Sequence, residues 1–191
     1  SGSALGKNND DGFPPGEQRR PVCVLKIYPE KGIPALCFPF CRWLSGADMM
    51  NAEGVAEDYS QVVIDRHGLM FSAEIACPLV QLRLPGKDNP GMNCVNCFQL
   101  PWLKEMTNRT PAQMENAERR KDWIERMTRE GNRSVQHMKR MLRHLGEFSL
   151  CRHGGKDASY TEYSIIGIPA ERKAFFAEGN PCQVHYQTVA L

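Results

Sequence analysis

The sequence lacks several features that would identify a protein class directly. No apolar run approaches the ~20 residues of a membrane span, so we expect no membrane association. There is no G-x-G-x-x-G or Walker-type phosphate loop, no H-E-x-x-H motif and no G-x-S-x-G motif. Their absence argues against nucleotide-dependent and common hydrolase chemistry. A formal net charge of +2 on 191 residues is also too small for the whole chain to act as a polycation.

The chain divides into segments of different secondary-structure character. Residues 1–20 are rich in glycine and polar groups, and we expect a flexible N-terminal arm. Short β-branched segments bounded by proline and glycine predict strands over most of the first half. Strand character returns from 160 to 168 and from 182 to 189, on the far side of a helical region. The sequence therefore predicts a single α+β domain over 21–191, with mixed or antiparallel β elements and a helical insertion over about 111–146.

The helical insertion has clear boundary signals. Thr110 is a good N-cap, Pro111 suits the first helical position, and Gln113 completes a capping box. Gly131 interrupts the pattern, which predicts two consecutive helices or one kinked helix that ends at Gly146. The apolar residues that recur at helical spacing are Ala117, Ile124, Met127, Val135, Met138, Leu142 and Leu145. By weaker signals of the same kind, 45–57 and 169–177 are predicted to be short helices.

Cysteine and histidine are the most informative residues. The sequence has 8 cysteines and 5 histidines, and several stand in pairs at spacings that suit zinc ligation. The candidate metal ligands are Cys37, Cys41, Cys94, Cys97, Cys151, His153, Cys182 and His185. They are enough for one or two structural Zn²⁺ ions.

Two ligand quartets are open. The preferred quartet combines the pair Cys94 and Cys97 with Cys151 and His153, and it would tie together the chain on either side of the helical insertion. The alternative quartet takes its second pair from residues 182 and 185. Spacing alone does not decide between them.

A secreted, disulfide-bonded domain is the competing interpretation. The number of cysteines is even, and Asn108-Arg109-Thr110 and Asn132-Arg133-Ser134 both fit the N-glycosylation pattern. Against it, a chain of this length needs no disulfides to be stable, and disulfides would not explain cysteines paired with histidines. We therefore expect an intracellular protein, nuclear or cytoplasmic.

Positive charge is concentrated in the helical insertion. Between residues 117 and 146 the chain has nine Lys or Arg and four acidic residues, a local excess of +5. Basic side chains on one helix can neutralise phosphates, and nearby Trp102 and Trp123 could stack on bases. We expect contact with nucleic acid, DNA or RNA, or otherwise with an acidic protein partner. The candidate contact residues are Arg133, Lys139, Arg140 and Arg143, followed by Arg119, Arg120 and Arg126.

Two enzyme interpretations stand beside this one. Ser72-Ala73-Glu74, twenty residues before Cys94, distantly resembles the zinc deaminase arrangement of H-x-E and P-C-x-x-C. It departs from it because Ser72 stands in place of the ligand and Asn93 in place of the proline. Cys41 followed far downstream by a histidine, 153 or 185, resembles the order of nucleophile and base in papain-like enzymes.

Overall fold

The computed structural model describes most of the chain. The described residues are 4–12, 24–28, 30–31, 35–39, 46–51, 56–58, 62–76, 79–87, 91–105, 109–131, 134–154 and 159–191. Within them the fold is α+β, as predicted, and consists of two antiparallel sheets and a helical insertion.

One sheet is a seven-stranded meander built by the first half of the chain. Its spatial order follows the order in sequence, and each strand is antiparallel to the next. The strands are β2 (Leu25–Ile27), β3 (Ala35–Pro39), β4 (Gly46–Asn51), β5 (Ala56–Asp58), β6 (Val62–Ile64), β7 (Met70–Ala76) and β8 (Leu79–Arg83). The hairpin between β6 and β7 turns through Gly68, whose φ of 86° is accessible to glycine at little cost. The helix predicted for 45–57 is wrong, since β4 and β5 occupy this segment.

The other sheet has four strands and joins the two ends of the chain. Its order is β1–β9–β10–β11, and all neighbours are antiparallel. The strands are β1 (Leu5–Gly12), β9 (Ser159–Ile168), β10 (Lys173–Glu178) and β11 (Gln187–Ala190). Residues 5–12 of the expected N-terminal arm are therefore part of the sheet, because their backbone groups pair with β9. Residues 13–20 lie outside the described part of the chain.

A strand replaces the helix predicted over 169–177. Pro169–Glu171 forms one 3₁₀ turn, Arg172 adopts a left-handed φ of 50°, and the chain then enters β10. The proline and the nearby glycine resemble helix boundary signals in the sequence, but in the structure they bound a tight turn and the end of a strand. Pairing of β10 with both neighbouring strands satisfies its backbone more completely than one isolated helical turn would.

The described helices are α1 (Pro101–Lys104), α2 (Pro111–Glu130) and α3 (Val135–Leu142). The last two form the helical insertion, and α1 precedes it. The predicted capping box is present at the start of α2, where Thr110 Oγ1 accepts from Gln113 N at 3.3 Å and Gln113 Oε1 accepts from Thr110 N at 3.0 Å. The predicted interruption at Gly131 separates α2 from α3, and α3 ends four residues before Gly146.

The hydrophobic core lies between the two sheets. Leu36 and Ile64 of the seven-stranded sheet pack against alternate residues of the four-stranded sheet, among them Tyr163 and Phe176. On the opposite face of the four-stranded sheet, α3 contacts β1 and β9. A Cβ at Gly6 would lie 2.6 Å from Met138 Sδ, so this glycine lets α3 approach β1 closely.

Asn8 on β1 fixes the segment that follows α3. Its side-chain Nδ2 donates to Leu142 O at 2.8 Å and to Leu150 O at 2.7 Å. The amide therefore closes the loop between α3 and residue 151 at both of its ends.

We predict that Asn8→Ala destabilises the fold by about 2 kcal/mol, because two partly buried carbonyl groups lose their donor. Denaturant unfolding followed by circular dichroism measures the difference. Gln136→Ala, at an exposed position of α3, is the matched control and should be nearly neutral. Equal stability of Asn8→Ala and the wild type would show that the amide does not hold the loop.

Candidate metal centre

Three soft ligand atoms meet where the chain enters β9 and where it turns after β10. Cys151 Sγ lies 3.2 Å from Cys182 Sγ and 3.5 Å from His153 Nε2, and the imidazole lies 3.0 Å from Cys182 Sγ. All three atoms lie within 4.8 Å of one another, so the group could hold a metal ion. Among the described residues it is the one group of three or more candidate ligands with this property.

Backbone pairing with β9 positions Cys151 and His153. Arg152 exchanges two hydrogen bonds with Thr161, one to the side chain and one to the backbone, each at 2.9 Å. His153 forms a β-bridge with Tyr160, and Gly154 follows it with a φ of 81°. These contacts fix the segment in an extended form, so residues 151 and 153 project to the same side.

The Cys182 side is fixed by Asn180, which is 1% exposed. Its backbone carbonyl accepts from the N–H groups of Gln183 and Val184, which makes the tight turn that presents Cys182. Its side-chain Nδ2 donates to Arg152 O at 2.5 Å and lies 3.8 Å from Cys151 Sγ. One buried amide thus joins both halves of the site.

Arg143, at the C-terminal end of α3, holds the same turn from outside. Its Nε donates to Pro181 O at 2.7 Å and its Nη2 to Val184 O at 3.3 Å. Sequence patterns alone do not predict that Arg143 and Asn180 stabilise the turn that presents Cys182. The Asn180-Pro181 dipeptide is a recognised turn signal and could have marked the turn.

Burial differs strongly among the three ligands. Cys151 is fully buried, Cys182 is half-buried and His153 is exposed. Burial raises the pKa of the Cys151 thiol to about 12, because the thiolate would lose its hydration there and lie beside the sulfur of Cys182. Without a cation this sulfur stays protonated at neutral pH, whereas a bound divalent ion would favour the thiolate.

The three ligand atoms fit three of the four positions around a tetrahedral ion with little adjustment. Two sulfurs at ~2.3 Å from one zinc lie ~3.8 Å apart, and sulfur and imidazole nitrogen lie ~3.6 Å apart. The observed separations are at most about 0.6 Å shorter, which small side-chain rotations can supply. The asymmetric burial places one side of the ion toward solvent.

The other predicted ligands lie elsewhere or are not described. No group of three within the described part of the chain includes Cys94, Cys97 or His185, and His185 is exposed. Cys37 lies in β3 without a described side chain, and Cys41 is outside the described residues. The observed group therefore combines the second pair of the preferred quartet with Cys182 from the alternative quartet. Neither predicted quartet is assembled within the described residues. The pairing of β9 with β10, and not local spacing, determines which candidate ligands lie together.

The Cys94–Cys97 knuckle is docked on α2. Asn96 Oδ1 accepts from Arg120 Nη2 at 3.0 Å, and Asn93 Nδ2 donates to Glu125 Oε1 at 3.2 Å. Both cysteines are free thiols, as are Cys151 and Cys182. Metal binding by the knuckle stays a prediction.

The basic residues have different environments. Arg120 is buried and donates to Asn116 and Asn96, and desolvation lowers the pKa of its guanidinium to about 10. Contact of this residue with nucleic acid stays a prediction. Arg133 lies outside the described residues. Arg119 and Arg126 are exposed on α2, where Arg119 lies 3.5 Å from Glu115 one turn away. On α3, Arg140 is exposed.

A mixed cationic and aromatic cluster joins α3 to the four-stranded sheet. Lys139 Nζ lies 4.3 Å from the ring centre of Phe175 and 5.1 Å from that of Tyr186. Arg143 lies 5.4 Å from the same Tyr186 ring, and Lys173 lies 5.5 Å from that of Phe175. These contacts hold cationic side chains close together on one surface.

The residues of the two enzyme interpretations have other partners. Glu74 is 3% exposed and its carboxylate accepts from the backbone N–H groups of Gln99 and Leu100, at 2.9 and 3.1 Å. Arg83 lies 3.4 Å from its other oxygen. His153 lies beside Cys182, and Cys41 falls outside the described residues. The structure thus gives Glu74 a role in anchoring the start of α1.

Two sequence comparisons give no indication of function. The sequence matches no protein-family model and no curated protein. None of the helices in the described segments is long and apolar enough to cross a membrane.

We predict that Glu74→Gln lowers the free energy of unfolding by about 2 kcal/mol and leaves metal content unchanged. The carboxamide keeps one acceptor oxygen but loses the charge that faces Arg83 and the two amides. Thermal unfolding and elemental analysis measure the two effects. A deaminase role for Glu74 would instead require an activity on nucleobases that this substitution abolishes without destabilisation.

Proposed function

We propose that this chain is a zinc-stabilised binding domain in which Cys151, His153 and Cys182 hold one structural Zn²⁺. The observation that carries the proposal is the convergence of two thiols and one imidazole within 3.5 Å, from positions 31 residues apart. Thiolate and imidazole ligands in tetrahedral geometry favour zinc over magnesium or calcium, which prefer oxygen ligands.

The ion would act as a cross-link. It would connect the segment before β9 with the turn after β10, and Arg143 would extend this connection to α3. A cross-link that closes a loop of about 30 residues lowers the conformational entropy of the unfolded chain. This stabilises the folded state by about 3–4 kcal/mol. Zinc binding therefore stabilises the packing of α3 on the four-stranded sheet.

The surface stabilised in this way is the proposed nucleic-acid contact. Lys139 lies beside Phe175 and Tyr186, and Lys173 lies beside Phe175 and is also paired with Glu171. Arg140 follows Lys139 on α3, where it is exposed and lies 3.2 Å from His137 Nδ1. Arg143 serves the turn as well, so it supports the surface as much as it contributes charge. Neutralisation of phosphates by such a cluster gives binding that weakens as salt concentration rises.

The metal proposal predicts that the purified protein contains one equivalent of zinc at this centre. Cys182→Ser and His153→Ala should lose it, and the free energy of unfolding should fall by about 3 kcal/mol. Elemental analysis and denaturant unfolding measure both effects. His185→Ala is the matched control, because this exposed histidine lies three residues from Cys182 and outside the group.

Substitution of cobalt for zinc gives a readout that does not depend on variants. A Co²⁺-loaded protein should show thiolate-to-metal charge transfer, which disappears in Cys182→Ser. Zinc retained by Cys182→Ser, or residues 151 and 182 isolated as a disulfide, would contradict the proposal. Zinc that is lost only from a Cys94→Ser variant would assign the ion to the knuckle instead.

The nucleic-acid proposal predicts that Lys139→Glu with Arg140→Glu weakens binding of single-stranded RNA or DNA by at least about ten-fold at low salt. Each lost phosphate contact should also reduce the slope of log affinity against log salt by about 0.7. Fluorescence anisotropy measures both. Arg143 is left unchanged in this variant because of its contacts with the turn.

Lys26→Glu with Lys87→Glu is the control, since it makes the same change in net charge at exposed positions of the other sheet region. Equal weakening by both pairs would show that only net charge matters. Tighter binding of polyglutamate than of nucleic acid would assign the surface to an acidic protein partner.

A further inference from the structure

A cavity lies between α2 and the loop that joins α3 to Cys151. Its volume is about 280 Å³, and Trp123, His144 and Phe148 provide its aromatic walls. A space of this size holds more than one water molecule and can admit a planar ring. The cavity is separate from the candidate metal centre and from the cationic cluster around Lys139.

The aromatic walls are already arranged for stacking. The rings of Trp123 and His144 lie 4.0 Å apart at an interplanar angle of 27°. Trp123 is half-buried, and both rings belong to residues that line the cavity. A flat aromatic ligand could extend this stack.

One polar atom of His144, a residue that lines the cavity, lacks a partner among the described residues. His144 Nδ1 is buried, and no group in the described segments hydrogen-bonds to it. Burial, and after it the nearby Arg126 guanidinium, lower the pKa of His144, which favours the neutral ring. A neutral imidazole offers one donor and one acceptor, and a buried ring nitrogen without a partner is costly.

Both basic and acidic side chains surround the opening of the cavity. Arg119 and Arg126 are seven residues apart on α2, which separates them by about 10 Å along the helix with Trp123 between them. Asp122 and Glu147 balance their charge. Because these charges balance, a simple polyanion would gain little electrostatic attraction at this site. An aromatic base with hydrogen-bonding edges and a phosphate on either side suits the arrangement better.

We propose that this cavity binds one unpaired base of a single-stranded nucleic acid, stacked against Trp123 and His144. Arg119 and Arg126 then contact the phosphates on either side of that base. The inference rests on the proposed nucleic-acid function and specifies its substrate class. Duplexes are excluded as substrates of this cavity because both faces of their bases are covered by neighbours.

The experiment compares an oligonucleotide that carries bases with an abasic oligonucleotide of the same length and charge. The wild type should bind the first about ten-fold more tightly. Trp123→Ala should remove this preference and leave abasic binding unchanged, while Trp123→Phe should keep most of it. Fluorescence anisotropy measures each affinity, and circular dichroism verifies that the variants are folded.

The outcomes separate the two proposals. Absence of binding to either oligonucleotide overturns the nucleic-acid function. Equal binding of both by the wild type leaves that function standing and overturns the base site. A wild-type preference that persists unchanged in Trp123→Ala overturns the site as well.

Photocrosslinking of the wild type to an iodouridine oligonucleotide tests the location without any variant. The proposal requires the crosslink to fall on the peptides that contain Trp123 or Phe148. A crosslink confined to other parts of the chain, or capture of the duplex as efficiently as the single strand, contradicts it.

Discussion

The antiparallel pairing of β9 and β10 determines the rest of the site. Tyr163 pairs with Glu178 at the open end of this hairpin, and the next contact beyond it runs from Gly179 N to Glu162 O. The chain before β9 and the chain after β10 therefore leave the sheet side by side. Asn180 then joins them through its bond to Arg152 O, and the ligand atoms meet there. Without this pairing no local spacing would bring residues 151 and 182 together.

The same region couples the metal centre to both proposed nucleic-acid contacts. Arg143 links the Cys182 turn to α3, where Lys139 belongs to the cationic cluster. On the other side, Cys151 N donates to His144 O at 3.2 Å, so the first candidate ligand is bonded to a residue that lines the proposed base site. Asn8 closes that loop at both ends. A rigid metal centre would therefore restrict the positions of both surfaces.

Some features of this structure can be predicted from the sequence, and others depend on tertiary structure. The capping box at Thr110 was predictable because local geometry requires those residue types. The strand at 173–178 was not, since its stability comes from pairing with β9 and β11. Spacing identified Cys151, His153 and Cys182 as ligand candidates, but the choice of partners depended on tertiary structure. Nor does the sequence distinguish buried Arg120 from its exposed neighbour Arg119, because helix α2 buries part of its charged face against the Cys94–Cys97 knuckle.

A bound divalent ion would give the centre almost no net charge. Two thiolates cancel the charge of a divalent ion, and a neutral imidazole adds none, so the loaded centre is close to neutral. A zinc ion held by Cys151, Cys182 and His153 thus would not itself attract phosphates. In the proposed function, the attraction would come from Lys139, Arg140 and Lys173, whose arrangement depends on α3 being held against the sheet. A bound metal would therefore act on the shape of the proposed binding surface, while the lysine and arginine side chains would supply its electrostatic potential.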